Sequence, residues 1–128
     1  MGLFDSFFSD SSSAGQSGFP WLDLNNLGTL ESIVADSHQK PVVIFKHSTR
    51  CSISKFALKN FEREYQSGIE IDFYFLDLIA HRTVSNAIAD KFEVMHQSPQ
   101  ILLIKNGVCV YHDSHQDIDF EKVVSKIG

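Results

Sequence analysis

The chain has few cysteines and no long apolar run, and each of these shortages excludes a class of protein. Two cysteines, far apart among 128 residues, do not form the framework of a small secreted disulfide-rich domain. No run of about 18 apolar residues occurs, so the sequence predicts no transmembrane helix. The N-terminus also lacks the basic and then apolar segments of a signal peptide. We therefore expect a cytoplasmic protein in a reducing compartment.

Positive charge is also in short supply. Lysine and arginine number 11 against 16 aspartates and glutamates, and the net charge is −5. This balance does not support nucleic-acid binding, and we expect neither nucleic acid nor membrane among the partners. Hydrophobic residues make up 43% of the chain, which is enough for a core in one domain of this length.

The first 18 residues differ in composition from the rest. Residues 9–18 are mostly serine and glycine and predict a flexible linker. We expect a flexible leader over 1–18 and a folded domain over 19–128. The start Met1-Gly2 fits the N-myristoylation pattern, which is short and often matches by chance. Three phenylalanines, at positions 4, 7 and 8, would either anchor the leader to a membrane or partner or pack locally within it.

Strand-like patterns recur along the folded part of the chain. Apolar runs rich in β-branched and aromatic residues predict strands at 42–47, 70–77, 100–105 and 108–113. Asn106-Gly107 separates the last two runs and is a strong signal for a tight hairpin. The segment Pro20, Trp21 and Leu22 predicts a short edge strand.

Helical spacing of apolar residues appears between these strands. It predicts four helices. The first is capped near Gly28 or Thr29 and ends before Pro41, and the next two cover 52–66 and 83–92. The fourth follows a cap at Asp117 or Asp119. We expect the second helix to bury Ile53, Ala57, Phe61 and Tyr65 and to end at Gly68. Strand–helix–strand units require right-handed parallel crossovers, whereas the final hairpin is antiparallel. The pattern therefore predicts an α/β fold with a mixed four-stranded sheet and helices on both faces.

Cys51 is the residue with the clearest chemical potential. It follows the strand at 42–47 through a polar loop and immediately precedes the second helix. Backbone N–H groups and the positive end of a helix favour a thiolate at such a junction, and Arg50 adds a positive charge beside it. The thiolate is the nucleophilic form of cysteine. The alternative is a small, inert core residue, but the polar neighbours argue against it.

Two segments around this cysteine and the third main strand resemble a known family. Residues 45–54 and 96–107 are similar to the YtxJ family of monothiol bacilliredoxin-like proteins, and the resemblance extends over residues 19–128. It implies the thioredoxin fold, with strand order 2-1-3-4 counted from the strand at 42–47. It also implies a cis bond between Ser98 and Pro99, which would bind substrate.

The same resemblance implies thiol–disulfide exchange. The substrates would be client proteins capped with a low-molecular-weight thiol such as bacillithiol, with Cys51 as nucleophile and no metal or other cofactor. A single thiolate would attack the mixed disulfide, release the client and keep the small thiol, so that a second free thiol would be needed to regenerate it.

The chain departs from ordinary thioredoxins at two places. Ser54 stands where the second cysteine of Cys-X-X-Cys would be, and the strand before Cys51 lacks a buried aspartate. Both differences argue against dithiol reduction. Ser54, about one helical turn beyond Cys51, either donates a hydrogen bond that stabilises the thiolate or is an ordinary first-turn residue.

Further candidates have weaker signals. Cys109, in the strand after the hairpin, is expected to be structural. His47 and His96 could both approach Cys51, but a zinc site would need three or four ligands, so we expect no metal.

Two histidines near the C-terminus and three basic residues on the second helix are most simply interpreted as surface residues. His112 and His115 are interpreted as solvated turn residues. The basic stripe Lys55, Lys59 and Arg63 is either a solvated helix face or a docking site for an anionic thiol or an acidic client.

Two other functions remain compatible with this sequence. A non-enzymatic thioredoxin-like adaptor would not need a reactive Cys51, and alkylation at mildly acidic pH would distinguish it from an oxidoreductase. An iron–sulfur carrier like some monothiol glutaredoxins would have Cys-Gly-Phe-Ser, whereas this chain has Cys-Ser-Ile-Ser. A colourless purified protein would disfavour the carrier.

Overall fold

A computed structural model describes residues 18–127 of the chain. The myristoylation pattern at Met1-Gly2 and the phenylalanines at 4, 7 and 8 lie outside the described residues, so the predictions about the leader stay predictions. No helix in the described range is long and apolar enough to cross a membrane.

The described chain alternates strands and helices as the sequence predicts. Its strands are β1 (Trp21–Asp23), β2 (Val42–His47), β3 (Asp72–Asp77), β4 (Gln100–Lys105) and β5 (Val108–Ser114). Its helices are α1 (Leu27–Asp36), α2 (Ser52–Arg63), α3 (Arg82–Phe92) and α4 (Phe120–Ser125), with a 3-10 helix at His115–Asp117. The predicted α/β fold class is confirmed.

The strands form one mixed sheet in the order β1-β3-β2-β4-β5. β3 runs parallel to β2, whereas β4 and β5 are antiparallel to their neighbours. This confirms the predicted order of the four main strands. The short edge strand predicted around Trp21 also forms, and it pairs in parallel with β3. The sheet therefore has five strands rather than the predicted four.

Helices cover both faces of the sheet and make two cores. The first core, between the sheet and helices α2 and α4, is rich in aromatic rings, including Phe45, Phe61, Phe73 and Phe120. The second, on the side of α1 and α3, is aliphatic and includes Ile33, Ile44, Ile88 and Leu102. Because both faces are covered, all six residues of β2 are buried.

Two predicted helix ends are wrong. The first helix starts at Leu27, because Asn26 caps it by accepting the N–H of Thr29 at 2.8 Å. The second ends at Arg63, since the N–H of Glu64 already bonds back to Phe61. Gly68 lies beyond that end, in the following turn, with φ +88.

The local signals near the C-terminus are confirmed. Asn106 and Gly107 have φ 54 and φ 80, the left-handed pair that a two-residue hairpin requires. Asp119 caps α4 by accepting the N–H of Lys122 at 3.2 Å.

Candidate active site

Cys51 lies at the N-terminus of α2, as the sequence predicts. It is the N-cap residue, with extended backbone, and its C=O accepts the N–H of Lys55 at 3.1 Å. Its own N–H donates to the C=O of Ser48 at 3.2 Å, which closes the loop after β2. The thiol is free and half-buried, makes no capping hydrogen bond, and faces a first helical turn without acidic residues. The helix terminus is therefore available to stabilise a negative charge there.

Ser54 holds the loop that leads to Cys51. It is fully buried, and its Oγ accepts the N–H of Ser48 at 3.0 Å. The same Oγ lies 2.7 Å from Nδ1 of His47. Burial lowers the pKa of His47, and Lys55 lowers it further, while Asp77 raises it. Ser54 is thus more than an ordinary first-turn residue, because two neighbours depend on its hydroxyl.

The inward turn of Ser54 changes which face of α2 is buried. The buried side runs through Ser54, Ala57 and Phe61, and Ile53 is 44% exposed. The prediction that Ile53 belongs to the apolar core is therefore wrong. Ile53 and the exposed Phe56 line a shallow groove together with His115.

The loop before β4 approaches the same end of the sheet. The bond between Ser98 and Pro99 is cis, which confirms the prediction. Lys46 pairs with Gln100 in the antiparallel register, so Pro99 lies across from His47. His47 is four residues before Cys51 in the sequence. The register therefore brings Ser98 and Pro99 to the end of β2 from which the Cys51 loop departs.

His115 also belongs to this end of the sheet, in the 3-10 turn that follows β5, and its side chain is half-buried rather than fully solvated. Its N–H donates to the C=O of Pro99 at 3.1 Å, and it lines the groove beside Ile53. His112 lies within β5, opposite Leu102, so it is a strand residue. No periodicity in the sequence could reveal the position of His115, because the pairing of β5 with β4 places it.

Lys46 is a functional candidate that the sequence reasoning missed. It is fully buried in β2, and burial lowers the pKa of its amine to about 8. His96 is largely exposed; the partial burial of its ring lowers its pKa, and the positive charges of Lys46 and Arg82 lower it further. His96 is thus within electrostatic reach of Lys46. The signal was a lysine inside an otherwise apolar run.

Cys109 lies at the opposite end of the sheet. It pairs with Ile104, which pairs with Val42 at the start of β2, whereas Cys51 follows the other end of β2. At about 3.3 Å per residue, the two ends of β2 are roughly 16 Å apart, and Cys109 and Cys51 lie near opposite ends. Burial raises the pKa of the Cys109 thiol, whose Sγ lies 3.3 Å from the C=O of Tyr111.

The predicted basic groups are at the surface. Arg50 is exposed in the turn directly before Cys51, and Lys55, Lys59 and Arg63 are exposed along α2. Between residues 18 and 127, no group of three or more His, Cys, Asp or Glu side chains is arranged to hold a metal ion.

Comparison with known proteins gives both a family and a fold. The family model described as "Monothiol bacilliredoxin BrxC" matches residues 22–123. A solved structure described as a candidate oxidoreductase with a thioredoxin fold is 29% identical, covers 84% of this chain and 93% of its own, and has a TM-score of 0.73.

Two thioredoxins extend the structural likeness. Malassezia sympodialis thioredoxin is 19% identical over 82% of this chain and 85% of its own, with TM-score 0.63. Mitochondrial thioredoxin 3 of Saccharomyces cerevisiae is 20% identical over 90% of this chain and 97% of its own, with TM-score 0.63. At these identities the likeness shows the thioredoxin fold.

Proposed function

This chain belongs to the monothiol bacilliredoxin BrxC family, and from that premise we propose that Cys51 removes bacillithiol, or a similar small thiol, from client proteins that hold it as a mixed disulfide. A thiol redox function follows from the family, and the resemblance to YtxJ proteins is confirmed. The observation that best supports the proposal is the isolation of Cys51: within residues 18–127, the second thiol lies at the far end of the sheet.

The proposed reaction has two exchange steps. In the first, the Cys51 thiolate attacks the sulfur of the small thiol in the mixed disulfide. The bond between that sulfur and the client cysteine breaks, and the client leaves as a thiolate that takes up a proton from water. In the second, the thiolate of another small thiol attacks the disulfide on Cys51. Cys51 is regenerated, and the small thiol leaves as its symmetrical disulfide.

The neighbouring residues have distinct parts in this proposal. The N-terminus of α2 and the side chain of Arg50 place positive charge beside Cys51. Ser54 holds the loop in place through Ser48 and His47, and could donate to the sulfur when Nδ1 of His47 bears the ring proton. Ser98 and Pro99 lie across from the end of β2, and in this proposal they contact the client chain.

A comparison of two single-cysteine variants tests the proposal. Cys51→Ser should abolish release of a small thiol from a mixed-disulfide protein, whereas Cys109→Ser should leave the release rate nearly unchanged. Because no internal thiol can displace it, the small thiol should accumulate on the Cys109→Ser variant, as intact mass spectrometry can measure.

Three results would contradict this reading. An inactive Cys109→Ser variant would show that the second thiol participates. An oxidised wild type lighter by two hydrogens would show an internal disulfide, which needs Cα atoms within about 7 Å. Equal behaviour of wild type and Cys51→Ser would favour a non-enzymatic adaptor.

A further inference from the structure

His47 and Ser54 form a buried pair at the end of the sheet where Cys51 lies. Nδ1 of His47 is 2.7 Å from Oγ of Ser54. The same oxygen accepts the N–H of Ser48 at 3.0 Å, and the C=O of Ser48 accepts the N–H of Cys51 at 3.2 Å. The hydroxyl of Ser54 is therefore fixed against the turn that carries the thiol.

The hydrogen bonds of Ser54 determine which ring nitrogen of His47 bears the hydrogen. A hydroxyl has one hydrogen to donate, and the oxygen of Ser54 already accepts from Ser48. Ser54 is fully buried, and among the described residues the acceptor for its hydrogen is Nδ1 of His47. An unpaired buried donor is costly, so Ser54 donates to Nδ1 and the neutral ring carries its hydrogen on Nε2.

The position of Cys51 gives the Ser54 hydrogen a second acceptor. Cys51 is the N-cap residue of α2, and Ser54 is the third residue of that helix. Side chains at these two positions are neighbours, as they are in a capping box. The thiol of Cys51 is half-buried and makes no capping hydrogen bond. Rotation of the Ser54 hydroxyl would therefore turn its hydrogen from His47 toward the sulfur.

The groups around His47 set the pH at which its ring gains a second proton. Burial lowers the pKa of His47 below its usual value of 6.5, Asp77 on β3 raises it, and Lys55 on α2 lowers it. The loop before β4 adds His96 at this end of the sheet, and the 3-10 helix after β5 adds His115. The ring of His47 is thus neutral at pH 7 and becomes protonated in more acidic solution.

We propose that His47 is a positioning residue, which turns the Ser54 hydroxyl toward the Cys51 sulfur when its ring is protonated. The ring takes its second proton from water at Nδ1. Nδ1 then donates to Ser54 instead of accepting, so the hydroxyl hydrogen is free for the sulfur, where it stabilises the thiolate. This inference rests on the proposed function, because it adds a residue that keeps the same thiol reactive in acidic conditions.

The pH profile of Cys51 alkylation tests the proposal. The rate with iodoacetamide is measured by intact mass in the Cys109→Ser protein, which has one thiol. For a thiol that titrates alone, the logarithm of the rate falls linearly with pH in acid. Protonation of His47 should instead raise the thiolate population about tenfold above that line, the effect of one hydrogen bond to a charged group. The rate should rise about threefold, because a more stable thiolate is a weaker nucleophile.

Matched variants identify the group that causes this offset. His47→Asn keeps a hydrogen-bonding amide near the place of Nδ1 but cannot be protonated, and Ser54→Ala removes the hydroxyl. Both should give a single straight line. His96→Gln and His115→Gln change the neighbouring histidines and should keep the wild-type offset. Because His47→Asn should retain the bond to Ser54, its profile decides the matter if Ser54→Ala does not fold.

The outcomes separate this inference from the function it extends. A straight line for the wild type, or an offset that survives in His47→Asn, would overturn the role of His47. Nitrogen NMR of the imidazole gives a readout without chemistry: at neutral pH the ring should carry its hydrogen on Nε2, and a hydrogen on Nδ1 would also overturn the inference. An offset without any release of a small thiol from mixed-disulfide proteins would support the role of His47 and overturn the proposed function.

Discussion

Replacing the buried Lys46 by methionine should make the protein more stable at neutral pH. The pKa of Lys46 falls from 10.5 to about 8 on folding, because burial disfavours the charged amine. Each pKa unit corresponds to about 1.4 kcal/mol, so the charged form destabilises the fold by about 3 kcal/mol. Methionine has a similar length and no charge, and it should recover most of that free energy.

The stability difference between Lys46→Met and the wild type should depend on pH. Below pH 8 the amine is protonated in both the folded and the unfolded protein, so the full cost is present. Between pH 8 and 10.5 the unfolded chain binds the proton and the folded chain does not, so the stability of the wild type rises with pH. The advantage of Lys46→Met should therefore shrink from about 3 kcal/mol at pH 7 to about 1 kcal/mol at pH 9.5.

Urea unfolding of both proteins at several pH values measures this difference. With a slope of about 1.5 kcal/mol per molar urea, the midpoint of the variant should lie about 2 M higher at pH 7. The control is Lys91→Met, an exposed change that should alter the free energy of unfolding by less than about 0.5 kcal/mol at every pH. A Lys46→Met protein no more stable than wild type at pH 7, or a gap that does not depend on pH, would refute the reasoning.

Three further predictions concern the site and the helix ends. At pH 7, iodoacetamide should modify Cys51 well before Cys109, because burial raises the pKa of the Cys109 thiol; peptide mapping measures both rates, and faster modification of Cys109 would contradict the assignment. Ser54→Ala should lower the free energy of unfolding by about 1–3 kcal/mol, because Ser48 and His47 lose a buried partner, and it should slow thiol exchange. Ser54→Thr, which keeps the hydroxyl, is its control, and an unchanged alanine variant would rule out the loop-holding role. Asn26→Ala should cost about 1 kcal/mol in urea unfolding through loss of the α1 cap, and any large change in exchange rate would show that α1 affects the site.

Features with short-range causes were predictable from the sequence. The hairpin at Asn106-Gly107 follows from the backbone freedom of two adjacent residues, and the junction at Cys51 from an apolar run that gives way to helical spacing. The cis bond at Ser98-Pro99 came from the family resemblance, since few bonds before proline are cis. The hairpin and the Cys51 junction needed only the residues close to them in the sequence.

Features created by contact between distant segments were not predictable. Ser54 is buried because it meets His47 across the loop, and His115 reaches Pro99 because β5 pairs with β4. Local sequence patterns indicate only which side chains prefer to be buried. The contacts of Ser54 and His115 depend instead on how distant segments of the chain pack and pair.

Lys46 shows the division most clearly. The sequence by itself determined that β2 would be a buried strand, because its neighbours are apolar and β-branched. Only the tertiary structure decided that the lysine would face α3 and Gln100 without a partner for its charge. The physical reason is that the cost of burying a charge depends on what lies around it in space, and the packing of α3 against the sheet sets those surroundings.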